Sequence, residues 1–260
     1  MLMEGMKNKY EIKYKKILKE CLYKGELQKT RTKHKAYAIY NKHLKININK
    51  YFPILTSKHI SQKIFETEFE WFINGETNIK RFKENNISIW NSWANENGDL
   101  GPVYGHQLIN YNSKGINQLK NTIEAIKTNP ESRRHIINLW NPQQLKDMAL
   151  PPCYLYFQLY ISNGKLNMTI VQRSADLFLG VPYDIALYSL LLLYIAKQTN
   201  YNVGYIYINF INAHIYENQV NPILQYLKND ILNSVKYSYN NKLKLYDYKS
   251  IEKIKCKVAI

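Results

Sequence analysis

The chain has 260 residues, 45% hydrophobic and 13% aromatic, which is enough to bury a sizeable core around a ligand and excludes a disulfide-stapled miniprotein or a disordered polymer. Its net charge of +16 invites a nucleic-acid partner, but 31 lysines stand against 5 arginines, beside 30 asparagines and 23 tyrosines. That bias reads as a lysine-rich solvated surface, so nucleic acid is not the expected partner. Three cysteines, Cys21, Cys153 and Cys256, cannot complete a set of disulfides and lack metal-ligand spacing. Free thiols in a reducing compartment are expected, and the charged N-terminus does not read as a secretory signal.

Residues 59–73 predict an amphipathic helix, with Ile60, Ile64, Glu68, Trp71 and Phe72 sharing a face at spacings of three and four. A carboxylate on that apolar side must be paired, protonated or engaged in chemistry, and burial raises its pKa into the range of proton transfer. Farther on, Ala149-Leu150-Pro151-Pro152 precedes Cys153. Two prolines hold the backbone extended and fix the thiol in place, a setting for a nucleophile, although a buried cysteine is commonly inert. Residues 154–161 and 165–172 alternate around Ser162-Asn163-Gly164 and predict a hairpin. The polar run Gln172-Arg173-Ser174-Ala175-Asp176 follows directly, at a strand end where binding sites form. Pro182 introduces a buried helix near 184–197, whose greasiest stretch, 185–196, is too short to span a bilayer, so no membrane association is expected. Residues 204–211 predict another strand. The last thirty residues predict no element and end in an apolar Val258-Ala259-Ile260. Helices before, between and after strands predict an α/β or α+β layered fold, one large sheet packed with helices, in a single domain over residues 1–260. Four of the five arginines, Arg31, Arg133, Arg134 and Arg173, fall in distinctive segments. Where lysine is used so freely, a retained arginine suggests a planar fork for phosphate or carboxylate.

The ordered segments TEFEWFINGETNI, IWNSWANENGDLGPVYGHQ, NPESRRHI, MALPPC, QRSADLFLGVPYDIALY and AHIY, with the terminal VAI, closely resemble the thymidylate synthase family over residues 31–218. The resemblance implies a homodimer that pairs through its sheet and moves a one-carbon unit from methylenetetrahydrofolate, the co-substrate, to C5 of a pyrimidine nucleotide monophosphate without a metal. Cys153 matches the nucleophile that adds to C6 and makes C5 nucleophilic. Arg173 matches a phosphate ligand close to the thiol, with Arg31 from one subunit and Arg133 and Arg134 from the other completing the phosphate site. Ser174 matches a further phosphate ligand, and Gln172 belongs to the same nucleotide-binding segment. Glu68 matches the glutamate that orders water and manages protons. His214 and Tyr216 match the pair on the deoxyribose hydroxyl, and Tyr104 a polar neighbour of the nucleophile. Trp90, Trp93 and Asp176 resemble folate-site residues, and Val258 to Ile260 the tail that closes over bound ligands.

Departures from the family pattern point to the substrate. Asp184 stands where thymidylate synthases carry an asparagine whose amide donates to O4 and accepts from the N3 proton of uracil. Cytosine reverses both demands, and a carboxyl sharing one proton with the ring can meet them. In the family, aspartate here marks the deoxycytidylate hydroxymethylase branch; otherwise Asp184 reads as a helix N-cap. Tyr154 follows the nucleophile where histidine is usual, on the side of the pyrimidine 4-substituent. Lys33-His34-Lys35 replaces a glycine-containing loop, and Phe210-Ile211 replaces a glycine pair. The expected reaction is dCMP plus methylenetetrahydrofolate plus water to 5-hydroxymethyl-dCMP plus tetrahydrofolate, in the cytoplasm, or in the host cytoplasm for a phage-encoded copy. Trp90 and the VAI tail match the methylating enzymes, which keeps 5-methylation of dCMP as an alternative, followed by thymidylate synthesis from dUMP. A nucleic-acid-binding protein that has lost catalysis is the reading from a different class; Cys153, Glu68 and the four arginines argue against it.

Overall fold

The structure, a computed structural model, describes residues 7–259. Its centre is a mixed seven-stranded sheet built from β1 (Glu26–Gln28), β2 (Ala36–Asn47), β4 (Ile136–Asn138), β5 (Tyr154–Ser162), β6 (Lys165–Gln172), β7 (Ala175–Asp176) and β8 (Asn202–Tyr216). The strand order is β1-β2-β8-β6-β5-β4, and β7 pairs with β8 beyond the end of β6. A three-stranded sheet joins β3 (Tyr51–Phe52), β9 (Val235–Tyr239) and β10 (Leu243–Tyr246). Helices α1 (Lys9–Lys24), α2 (Gln62–Ile73), α3 (Lys80–Glu84), α4 (Tyr104–Ile109), α5 (Gln118–Thr128), α6 (Gly180–Thr199) and α7 (Val220–Lys228) complete the layers.

β8 is the spine, because β2 runs antiparallel along most of its length while β6 and then β7 run parallel on its other side. Gln172 pairs with Phe210 and Ala175 with Ala213, the same register before and after a break. Arg173 and Ser174 occupy that break, so they leave the ladder between two segments fixed to one strand. Alternation then sorts the faces: Ile206, Ile208 and Phe210 are buried, whereas Tyr205, Tyr207 and Asn209 are half-buried and Ile211 is exposed. Gln158 and Tyr160 of β5 and Thr169 and Val171 of β6 are likewise only half-buried. Within one chain, the face opposite the helices is bare.

The core helix α6 begins earlier than the sequence pattern predicts. Pro182 lies inside its first turn, where a missing N–H costs nothing, rather than before it. At twenty residues α6 is long and apolar enough to cross a membrane by those two measures, yet most of it is buried inside the fold, in keeping with the reading of 185–196 as a buried helix. Conversely α2 starts at Gln62 instead of residue 59, because the His59 N–H donates to the Glu252 carbonyl (2.7 Å) and the Ile60 N–H to the Tyr248 hydroxyl (3.0 Å). The hairpin matches expectation within one residue, while the 204–211 strand extends to residues 202 and 216 because β2 and β7 supply partners along it.

The N-terminal helix is tied to this frame by a polar knot. Glu11 has no exposed surface, and its carboxylate accepts from the Thr56 N–H and hydroxyl (both 2.7 Å), the Ser57 N–H (2.9 Å) and the Tyr226 hydroxyl (3.0 Å). Four donors offset the desolvation of this buried carboxyl, which has no cation in direct contact among the described residues. Arg81, the arginine outside the distinctive segments, forms a fork on Glu76 (2.9 and 3.1 Å from Nε) and reaches Glu70 at 3.0 Å.

Candidate active site

Cys153 sits at the start of β5 after the two prolines, and its backbone carbonyl accepts from the Arg173 N–H at 2.8 Å. The Arg173 guanidinium turns back under the same turn, donating to the carbonyls of Pro152 (2.8 Å) and Pro151 (2.9 Å) and lying 5.3 Å from the Trp140 ring. Three side-chain and backbone contacts therefore bind the strand break to the Cys153 turn. The Cys153 N–H donates to the Tyr104 hydroxyl oxygen at 3.0 Å, which leaves that hydroxyl's proton free to face the sulfur. Burial, and next the charge of Asp184, push the thiol pKa up; Tyr104, Arg173 and Arg31 act against that rise.

Two carboxyl groups share this desolvated space. Glu68, on α2, accepts from the Trp90 indole N–H at 3.1 Å and is pushed up to about 7 by burial and by Asp184. Asp184, on the first turns of α6, is raised to about 6 by burial, with Asp176 adding to the rise and the Gln172 hydrogen bond opposing it. Its Oδ2 accepts from Gln172 Nε2 at 2.8 Å. Asp184 is not a cap: Leu179 holds the N-cap position, and the Phe178 and Leu179 N–H groups instead bond Asp176 Oδ1 at 2.9 and 3.0 Å. The other Asp176 oxygen accepts from Gln219 Nε2 at 2.8 Å.

Tyr104, Tyr154 and Tyr188 wall the space, with ring centroids 4.8 Å apart for Tyr104–Tyr154 and 5.3 Å for Tyr154–Tyr188. Trp90 stands 5.8 Å from Tyr104 and 5.7 Å from Trp93, so the tryptophan pair reaches the site through edge-to-face ring contacts. His214 is paired across the ladder with Asp176 and lies 5.1 Å from the Tyr216 ring. Its Nδ1 is 3.0 Å from Asn212 Oδ1, and burial lowers the ring pKa.

The structure thus brings together Cys153, Glu68, Gln172, Arg173, Asp184, Tyr104, Trp90 and Trp93. Asp176, His214 and Tyr216 adjoin them, Ser174 follows Arg173 in the strand break, and the charge of exposed Arg31 is felt at both Cys153 and Tyr216. Arg133 and Arg134 are not part of this cluster. They precede β4, the Arg133 carbonyl accepts from Gln158 Nε2 (3.1 Å), and the neighbouring His135 carbonyl bonds the Leu159 N–H (2.9 Å). Six residues of strand separate Leu159 from Cys153, roughly 20 Å. Ile260 lies outside the described residues; Ala259 is buried, and the Lys257 carbonyl accepts from Asn218 Nδ2 at 3.0 Å. A separate cleft of about 480 Å³, lined among others by Lys13, Lys45, Lys50 and Tyr51, shares no residue with the site.

Sequence reasoning missed Trp140, Gln219, Tyr188 and Lys58. Lys58 is buried, donating to the Phe178 carbonyl at 2.6 Å with its pKa lowered to about 8 by burial. A lysine inside the apolar run of residues 52–60 was a visible signal; the partners of Trp140 and Gln219 are set only by the fold.

Both raised carboxyls make the folded state bind protons more tightly than the unfolded chain between the ordinary carboxylate range and about 7, so they cost stability as pH rises through that window. Glu68→Gln therefore gains stability over wild type by about 2 kcal/mol more at pH 8 than at pH 5 in urea unfolding. A difference that does not change with pH would show that Glu68 is not desolvated.

Residues 12–260 match the family model described as thymidylate synthase. With the Cys153 turn, the two carboxyls and the arginine-bearing strand break assembled at one end of a mixed helix-covered sheet, the chain belongs to the thymidylate synthase family, whose members transfer a one-carbon unit from a reduced folate to C5 of a pyrimidine nucleotide.

Proposed function

We infer that this member acts on dCMP, converting it with methylenetetrahydrofolate and water to 5-hydroxymethyl-dCMP and tetrahydrofolate. The observation that carries the reading is Asp184, a carboxyl able to hold a proton near neutrality, with Oδ2 committed to Gln172 and Oδ1 without a partner among the described residues. A protonated Oδ1 donates to N3 of cytosine while the carboxyl accepts from the N4 amino group; uracil presents the opposite pattern. The same proton removes the negative charge that holds the Cys153 thiol up, so a bound cytosine also favours the thiolate. An amide-like use of the protonated carboxyl toward uracil makes dUMP the competitor that any test must include.

The other groups then take these roles. Cys153 adds to C6, and Tyr104 stabilises the thiolate. Arg173, Arg31 and Ser174 receive the phosphate, Gln172 holds Asp184, and Glu68, titrating near 7, moves protons through ordered water. His214 Nε2 accepts from the sugar hydroxyl beside Tyr216. Trp90, Trp93 and Asp176 face the folate, and the Val258 to Ile260 tail closes the site. The three free thiols fit a reducing compartment, the cytoplasm.

Arg133 and Arg134 have work only if a second copy brings them to the phosphate, and the bare sheet face is the surface through which a homodimer would form. Mixing inactive Arg31→Ala and Arg134→Ala proteins then restores activity, because one site of each mixed dimer has both arginines intact. Absence of any recovery would remove the shared site.

Asp184→Asn changes one donor and acceptor assignment at nearly constant volume. We expect the ratio of kcat/KM for dCMP over dUMP to fall by roughly thirtyfold or more, in line with two hydrogen bonds lost in a closed site, with loss of dCMP turnover exceeding gain of dUMP turnover. An unchanged ratio would end the cytosine assignment.

A further inference from the structure

Tyr188 lies one helical turn beyond Asp184 on α6, with no exposed surface. Its hydroxyl donates to Gln172 Oε1 at 3.3 Å and has no other partner among the described residues. Gln172 is 1% exposed, and its Nε2 donates to Asp184 Oδ2 at 2.8 Å. The direction of this chain is not free. A buried hydroxyl with one neighbour must spend its proton there, which turns the amide oxygen of Gln172 toward Tyr188 and the amide nitrogen toward Asp184. Asp184 Oδ2 then meets a donor and has to be the bare oxygen, so any proton on the carboxyl resides on Oδ1.

We propose that Tyr188, acting through Gln172, sets which oxygen of Asp184 carries the proton and is thereby a positioning residue for recognition of the cytosine base. The proposal rests on the dCMP reading above for its substrate, though the relay itself concerns only the protein. Without the Tyr188 hydroxyl, the Gln172 amide can rotate by 180°, present Oε1 to Asp184 and accept a proton from Oδ2. Oδ1 then becomes an acceptor only, opposed to the acceptor N3 of cytosine. The rotation also exchanges a bond that stabilises the charged carboxyl for one that stabilises the neutral form. The Asp184 titration therefore moves upward. The ionisable groups acting on Asp184 or acted on by it are Glu68 of α2, Tyr104 of α4, Cys153 and Tyr154 at the head of β5, Asp176 of β7 and Tyr188 itself. None of them changes in Tyr188→Phe except the last.

The test is a double-mutant cycle on base preference, with carbon-13 NMR of the aspartate carboxyls to follow Asp184 in the ligand-free protein. In Tyr188→Phe the dCMP/dUMP ratio of kcat/KM falls about tenfold, the size of one misdirected neutral hydrogen bond, and Asp184 titrates at higher pH than in wild type. In the Asp184→Ala background, where no side-chain oxygen is left for Gln172 to orient, the same substitution leaves the ratio unchanged. An equal fall in both backgrounds, or an unmoved Asp184 titration, overturns the relay and makes Tyr188 a packing residue. Gln172→Met breaks the chain at its middle link and gives the same pattern if Tyr188→Phe does not fold. Should wild type prefer dUMP, the substrate reading fails, and the titration alone decides: a raised midpoint in Tyr188→Phe keeps the relay and an unmoved one removes it.

Discussion

Glu68, Asp184 and the Cys153 thiol share one desolvated space, where burial and the charge of Asp184 raise the cost of charging the other two. Each carboxyl raises the cost of charging its neighbour, burial raises it for all three, and the donors present are few: the Trp90 indole for Glu68, the Gln172 amide for Asp184, and the Tyr104 hydroxyl with distant arginines for Cys153. Protons must therefore be shared between the two acids near neutral pH. That shortage is what the proposed recognition of a base that accepts a proton at one ring position and donates at the next would relieve. It is also why a stable scaffold is needed around it, since the arrangement lowers stability wherever both acids ionise.

The scaffold meets this requirement through β8. One long strand carries β6 and β7 in a single register, so the two residues released between them, Arg173 and Ser174, are held from both ends. Arg173 then ties the Pro151-Pro152 carbonyls and the Cys153 carbonyl to that break. The prolines cannot donate to a neighbouring strand, and the guanidinium satisfies their carbonyls, so the turn needs no ladder of its own. α6 starts beside the same break and carries Asp184 and Tyr188 on one face, which puts Asp184 and Cys153 on one rigid frame.

Much of this was legible from residues whose chemistry conflicts with their local pattern. Glu68 on an apolar helix face, Cys153 behind two prolines and a polar run at a strand end each stood out, and the structure gathers all three. Asp184 was legible only as a departure from a family pattern; α6 begins at Gly180, which places Asp184 beyond the first turn and away from the cap, while Asp176 bonds the Phe178 and Leu179 N–H groups ahead of the helix, contacts no spacing rule supplies. Arg133 and Arg134 looked equivalent to Arg173 in sequence, yet the β4–β5 register carries them to the far end of β5. The C-terminal hairpin escaped notice because its alternation is written in tyrosine and lysine, with Val235 and Leu243 its only buried side chains. Tyr188 was hidden in a run of buried apolar residues, where its hydroxyl has meaning only once Gln172 is seen across the sheet.

The claim on which everything else depends is that the shared proton at Asp184 selects cytosine. A single-turnover reaction of the wild-type protein with methylenetetrahydrofolate and, separately, dCMP, dUMP and CMP, read by mass spectrometry of the nucleotide, tests it directly. Conversion of dCMP to its 5-hydroxymethyl derivative, faster than any conversion of dUMP or CMP, is the predicted result. Faster conversion of dUMP to dTMP would contradict it and leave Asp184 acting as an amide in disguise.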